Sequence, residues 1–339
     1  MRAARTSFGS ACFLWVALGC GGAGRNAAPP MAPLPDQEPA PARVVPKAST
    51  LVKDGEKLLQ SNDPKGAQAL FEKAIAEDPN DARAELDLGI TREAQGDAKG
   101  AEIAYRRAIE LQADLAEALN NLAVLLRERG DIEEAVPLLE KAAQANPKSA
   151  AAQTNLALAL EEQKDLVGAE RAYRAAIALD EANAMTRANL GLMLVGKGDL
   201  QAARVELRSA LGKAAGNRAA LLAIGNGLRR AEDAPGALQA MQGAVSAEKD
   251  VTAALLSELA LAQRAADDRD GAIATLESAL VLDAKYATAH YLLGNMLAGA
   301  ARFDEAKKHY ERYLQLEPKG DQAEQARGRL AALKKARKK

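Results

Sequence analysis

The sequence predicts an all-α solenoid of stacked helical hairpins, and three observations carry that expectation. Small residues recur every 34 positions along most of the 339-residue chain. Large apolar residues fall between them at helical spacing. Aromatic content is only 3% while hydrophobic content reaches 48%, a chain rich in alanine and leucine that favours helix and still supplies a core.

The repeating unit is clearest over residues 116–147. Leu119, Leu122, Ala123 and Leu126 recur at three and four, lining one face of a first helix. Gly130 and Asp131 break it: glycine takes the positive φ of a helix end, and the aspartate is placed to accept from free N–H groups of the next helix. Ala135, Leu138, Leu139 and Ala142 line the second helix, Pro137 is expected near its start, and Pro147 stops the unit. Two helices this short leave apolar faces uncovered, so each unit needs neighbours.

Seven other segments share the pattern. Ala67, Ala101, Ala135, Ala169, Ala203, Ala237, Ala272 and Ala306 are 34 apart, except for one step of 35 between Ala237 and Ala272. The large residues Phe71, Tyr105, Leu139, Tyr173, Leu207, Met241, Leu276 and Tyr310 face the small Gly55, Gly89, Ala123, Ala157, Gly191, Gly225, Ala260 and Gly294 of the first helices. This period and pattern resemble the tetratricopeptide repeat over about four fifths of the chain. The resemblance implies a right-handed superhelical α-solenoid of about eight helix-turn-helix repeats with a C-terminal capping helix.

The expected organisation is a signal peptide at 1–19, a lipidated cysteine and Pro/Ala/Gly-rich tether at 20–47, eight repeats at 48–318, and a capping helix with a basic tail at 319–339. In the tail helix Ala323, Ala326, Leu330 and Leu333 share one face, suited to covering the last repeat. The extra residue between Lys249 and Ala253 marks an expected change of superhelical pitch. Tyr313 stands where the other repeats carry alanine, so the last repeat is expected to pack differently.

At the N-terminus Arg2 and Arg5 precede a short apolar run and then Ala17-Leu18-Gly19-Cys20. That ending resembles a bacterial lipobox, which implies cleavage before Cys20 and acylation of it. An ordinary signal cut elsewhere, or an uncleaved anchor, stays open. By the same resemblance Gly21 favours the outer membrane, and the expected setting is a bacterial outer-membrane lipoprotein facing the periplasm, or else a secreted or inner-membrane-anchored protein.

Nothing points to chemistry. The formal net charge of −1 argues against a nucleic-acid partner. Cys12 and Cys20 are the only cysteines, so the repeats hold no disulfide and no thiolate-bound metal. Residues 19–24 spell GxGxxG without a preceding strand, and Gly191 to Lys197 spells GxxxxGK without the Ser or Thr that would hold magnesium. His290 and His309 fall in different helices of one repeat with no further ligand at metal spacing, which reads as surface or interhelical histidine. No cofactor, no metal and no catalytic residue is expected.

The resemblance further implies that first helices line a concave groove through their ninth repeat position: Ile90, Val124, Leu158, Leu192, Asn226, Leu261 and Asn295. The twelfth and thirteenth positions supply Glu93, Glu128, Glu161 and Glu162 in the earlier repeats, against Arg229, Arg230 and Arg264 in the later ones. An apolar stripe edged by acid at one end and base at the other suits an extended peptide or amphipathic helix. The plainer alternative is that the stripe only packs neighbouring first helices and the charges are solvated. Asn121, Asn155 and Asn189 occupy a structural position of the family pattern. The expected function is a non-catalytic, membrane-anchored scaffold that helps assemble an envelope machine for pilus, secretion, motility or polysaccharide export. A periplasmic holding chaperone for unfolded outer-membrane polypeptides, and a regulatory or enzymatic component, are the alternatives.

Overall fold

The computed structural model describes residues 47–336. The signal, Cys20 and the tether lie outside the described residues, as does the end of the basic tail. The described chain forms seventeen helices and no strand. The first eight are α1 (Lys47–Gln60), α2 (Pro64–Glu77), α3 (Ala82–Ala94), α4 (Ala98–Leu111), α5 (Ala116–Arg129), α6 (Ile132–Ala145), α7 (Ala150–Glu162) and α8 (Leu166–Leu179). Then follow α9 (Ala184–Lys197), α10 (Leu200–Leu211), α11 (Arg218–Arg230), α12 (Ala234–Ser246), α13 (Ala253–Ala265), α14 (Arg269–Leu282), α15 (Ala287–Gly299), α16 (Phe303–Leu316) and α17 (Ala323–Ala336). Each odd helix pairs with the even helix after it, the pairs stack in chain order, and α17 covers α16. This is an all-α solenoid.

Large-against-small packing closes each hairpin. Phe71, Tyr105, Leu139, Tyr173, Leu207, Leu276 and Tyr310 are fully buried, as are their flanking alanines. A Cβ placed on Gly89 would come within 2.4 Å of the Tyr105 ring, so the tyrosine fits because its partner has no side chain. Between the helices of each pair one residue takes a left-handed φ: Asn62, Gly96, Gly130, Lys164, Gly198, Glu232, Asp267 and Ala301. The next residue starts the second helix. Asp63, Asp97, Asp165, Asp199, Asp233 and Asp268 each accept a backbone N–H three residues on, satisfying donors the helix cannot.

Two expectations about the unit at 116–147 need correction. Asp131 makes no side-chain cap bond; its carboxylate is held by Arg129 instead. Pro137 is the sixth residue of α6, inside the helix and not in its first turn, so the backbone there gives up one helical hydrogen bond.

The main core runs from Leu86 in α3, whose Ala84 and Leu88 belong to a separate cluster around Phe71, to Ala262 in α13, where it divides again. Leu255 and Ala262 of α13 belong to that core, whereas Ala253 and Ala260 belong to a second one that runs to Ala326. The extra residue of the seventh repeat is taken up just before, in the segment 247–252. At the C-terminus the expected cap is present: Ala323 and Ala326 are buried and Leu330 and Leu333 pack beside them. Tyr313 turns its ring against Tyr291 at 5.4 Å and receives the backbone N–H of Gln322 at 3.2 Å, which joins the last repeat to α17.

Candidate partner-binding groove

The ninth-position residues Ile90, Val124, Leu158, Leu192, Asn226, Leu261 and Asn295 are all half-buried, unlike the fully buried small residues that precede Ile90, Val124 and Leu261. They form one row along α3, α5, α7, α9, α11, α13 and α15. Their inner parts serve the fold: Ile90 and Leu158 lie against the main core, and Leu192 reaches α11. The outer parts remain accessible.

The acidic edge is narrower than the sequence suggests. Glu93 accepts the hydroxyl of Tyr105 at 2.7 Å and Glu161 that of Tyr173 at 2.9 Å. Both carboxylates are half-buried, and burial raises Glu161 above the ordinary range. They satisfy hydroxyls that the packed tyrosines would otherwise bury without partners. Glu128 and Glu162 are exposed. In the eighth repeat Asn295 performs the same service for Tyr310, at 2.7 Å.

On the basic side Arg230 and Arg264 are exposed, and Arg264 lines a shallow depression with Asn295 of the next repeat. Arg229 donates to Asn226 at 3.2 Å, while its Nε is buried without a partner. Exposed Arg230 and Arg264 and the half-buried amides of Asn226 and Asn295 thus lie on α11, α13 and α15.

Two features escape the sequence reading. At the N-terminal end Arg83 reaches Asp87 at 3.2 Å, Glu117 at 2.7 Å and Glu56 at 3.5 Å, tying three first helices together. Burial pushes the Asp87 carboxyl up to about 6 against the pull of Arg83. The signal was visible at the sixth repeat position, where Asp87 stands in line with Asn121, Asn155 and Asn189. In the next repeats Asn155 donates to Asn120 at 2.8 Å, Asn120 lies 3.3 Å from Asn121, and Thr154 and Thr186 share a 3.1 Å hydrogen bond, so polar side chains bridge α5, α7 and α9.

The second feature is a pinch. Helices α9 and α11 pack together more extensively than any other two successive first helices. Gly227 makes this possible: a Cβ there would meet Leu207 at 2.9 Å and Leu192 at 3.0 Å. The preceding connection, 212–217, also differs, with α10 ending early and Gly216 at φ +74.

Residues 54–116 and 120–184 match one model of the tetratricopeptide repeat, and residues 287–319 match another. The chain carries tetratricopeptide repeats over these residues. Among solved structures the solenoid is similar to a tetratricopeptide-repeat protein from Parabacteroides merdae, at TM-score 0.53 and 16% identity, covering 74% of this chain and 98% of that one. It is similar to PilF of Pseudomonas aeruginosa at TM-score 0.51 and 22% identity, over 57% of this chain and 89% of that one. Yeast Tom70 is similar at TM-score 0.51 and 19% identity, over 90% of this chain and 67% of that one. At these identities the likeness is one of fold. No curated protein sequence matches the chain. No group of three potential metal-ligating residues occurs among the described residues of this repeat protein, and none of its described helices is long and apolar enough to cross a membrane.

Proposed function

We propose that this tetratricopeptide-repeat protein is a non-catalytic scaffold whose first-helix face binds a polypeptide segment, and that acylated Cys20 ties it to the bacterial outer membrane on the periplasmic side, where it helps assemble an envelope machine. One observation carries the binding reading. The ninth-position row is uncharged and half-buried through seven consecutive repeats, with exposed Glu128 and Glu162 beside its earlier part and exposed Arg230 and Arg264 beside its later part. A segment that fits has apolar residues at its centre, bases toward α5 and α7, and acids toward α11 and α13.

The anchoring reading rests on the Ala17-Leu18-Gly19-Cys20 sequence and on the proline-rich stretch after it, which would hold the repeats away from the bilayer. Fractionation and radiolabelled palmitate test it: Cys20→Ala should move the protein from the membrane to the soluble fraction and abolish labelling. Retention of both in that variant would refute the anchor while leaving the groove untouched. For the groove, a photo-crosslinking residue at Leu158 or Leu192 should capture a partner in cells, whereas one at the outward-facing Ile103 or Val205 should not. Capture from the outward positions alone would reject the concave reading.

A further inference from the structure

His290 on α15 and His309 on α16 meet with their Nδ1 atoms 2.9 Å apart. His290 is 8% exposed and His309 is half-buried. The Nε2 of His290 lies 3.2 Å from the carbonyl oxygen of Ala284, in the turn between α14 and α15. A carbonyl only accepts, so Nε2 carries the hydrogen and, in the neutral ring, Nδ1 of His290 is a bare acceptor. His309 must then donate from its own Nδ1. The contact thus fixes both tautomers and joins the turn, α15 and α16.

The same place in the other hairpins shows how unusual this choice is. In the third repeat it holds Leu119 packed on Leu138. In the fifth it holds Arg187 and Glu206, an ion pair at 3.0 Å with the same separation of 19 residues along the chain as the two histidines. Leucines do not titrate, and an arginine–carboxylate pair keeps its charges across the ordinary pH range. Two imidazoles behave differently. One proton can sit on the Nδ1–Nδ1 line, but a second puts an N–H on each nitrogen and two positive charges at contact distance.

We propose that the His290–His309 contact is an acid-sensitive clasp, which holds the eighth repeat and its capping helix closed at neutral pH and releases them on acidification. The surroundings oppose charging of the pair. Burial lowers both histidines; Arg312 further lowers His290, and His290, Arg302 and Lys308 lower His309, while the Ala284 carbonyl raises His290 and Glu305 raises His309. Glu305 is itself engaged by Arg302 at 2.7 Å. On α14, Asp270 and Glu277 act on Arg302. On α17, Arg329 acts on Tyr310, and in the turn Asp283 accepts the N–H of Lys285 at 2.8 Å. The charged groups of α13, Glu258 and Arg264, shift neither ring. Glu305, the carboxylate that acts on this pair, is thus already matched by a guanidinium.

The sign follows from proton counting. Histidines whose folded pKa lies below the ordinary 6.5 bind fewer protons folded than unfolded as the pH falls past that value, so local stability declines from about pH 6.5 downward. The effect is confined by position. Tyr310 holds Asn295, and Tyr291 donates to Gln325 of α17 at 2.7 Å, so loosening α15 from α16 disturbs the last groove position and the cap together. The clasp stands on its own geometry and does not depend on the groove reading.

Hydrogen exchange on the full chain, corrected for the intrinsic pH dependence of amide exchange, tests it. Between pH 7.5 and pH 5.0 protection across 287–336 should fall at least about tenfold, since each extra proton taken up on opening contributes up to about tenfold per pH unit. Protection across 116–145 should change far less. Two variants copy the other hairpins: His290→Leu with His309→Leu follows the third repeat, and His290→Arg with His309→Glu follows the fifth. Either should stay folded and lose the acid response. Equal responses of 287–336 and 116–145 in the natural protein, or an acid response unchanged in a folded variant, would overturn the clasp.

Discussion

The first helices are stacked in two different ways. Between α5, α7 and α9 the first helices are bridged by full-length polar side chains, Asn120 to Asn155 and Thr154 to Thr186. Between α9 and α11 there is no such bridge; Gly227 lets Leu192 and Leu207 meet the neighbouring helix directly. Hydrogen bonds have fixed lengths and need whole side chains to span the gap, so they set a spacing. A missing side chain removes the spacer, and dispersion and apolar burial draw the helices together. One repeat sequence thus yields a bridged stack in one half and a pinched one at the centre.

The largest expected effect breaks the pinch. Gly227→Leu should destabilise the protein by about 1–3 kcal/mol through overpacking, read as a lower urea midpoint. It should lower protection around α9 to α12 before it affects the third and fourth repeats. An unchanged midpoint would mean that the two helices separate freely there, and that the comparison overstates their contact.

A smaller effect sharpens the polar half. Asp87 holds the place that Asn121, Asn155 and Asn189 hold later, but as a buried carboxyl whose pKa is raised to about 6. A carboxyl with a folded pKa above its unfolded value of about 3.9 binds more protons folded than unfolded between those limits, so it costs stability as the pH rises from about 4 to 6. Asp87→Asn removes that cost. It also gives up the ion pair with Arg83, so the net gain at pH 7 should be no more than about 1–2 kcal/mol, fading to none or a loss at pH 4. Urea midpoints at the two pH values check this, and a variant less stable at pH 7 than at pH 4, relative to the natural protein, would invert the account.

Much of this architecture was legible because helical spacing, a rigid period and large-against-small pairing are local features of the chain. The 34-residue step located every hairpin, and Ala323, Ala326, Leu330 and Leu333 located the cap, since both depend only on which residues share a helix face. What stayed hidden depends on partners far apart in sequence. The acidity of Glu93 and Glu161 was plain, but not that Tyr105 and Tyr173 would occupy them. The same spacing could not tell that Gly227 meets Leu192 across a repeat boundary, or that His290 and His309, expected at the surface or between helices, would point at one another. Asp131 read as a cap because it stands where its counterparts cap; a neighbouring arginine unique to that turn redirects it.

The central claim is that the accessible side of the first helices receives a polypeptide, and introducing charge along it is the most direct measurement. Once the captured partner is in hand, its affinity should be determined by calorimetry for the natural protein and for Leu158→Glu with Leu192→Glu, two half-buried positions on the row, with Ile103→Glu on the outward face as control. The account predicts a loss of at least about tenfold, roughly 1.4 kcal/mol, for the groove variant and none for the control, with circular dichroism of all three alike. Equal affinity for a folded groove variant would contradict it.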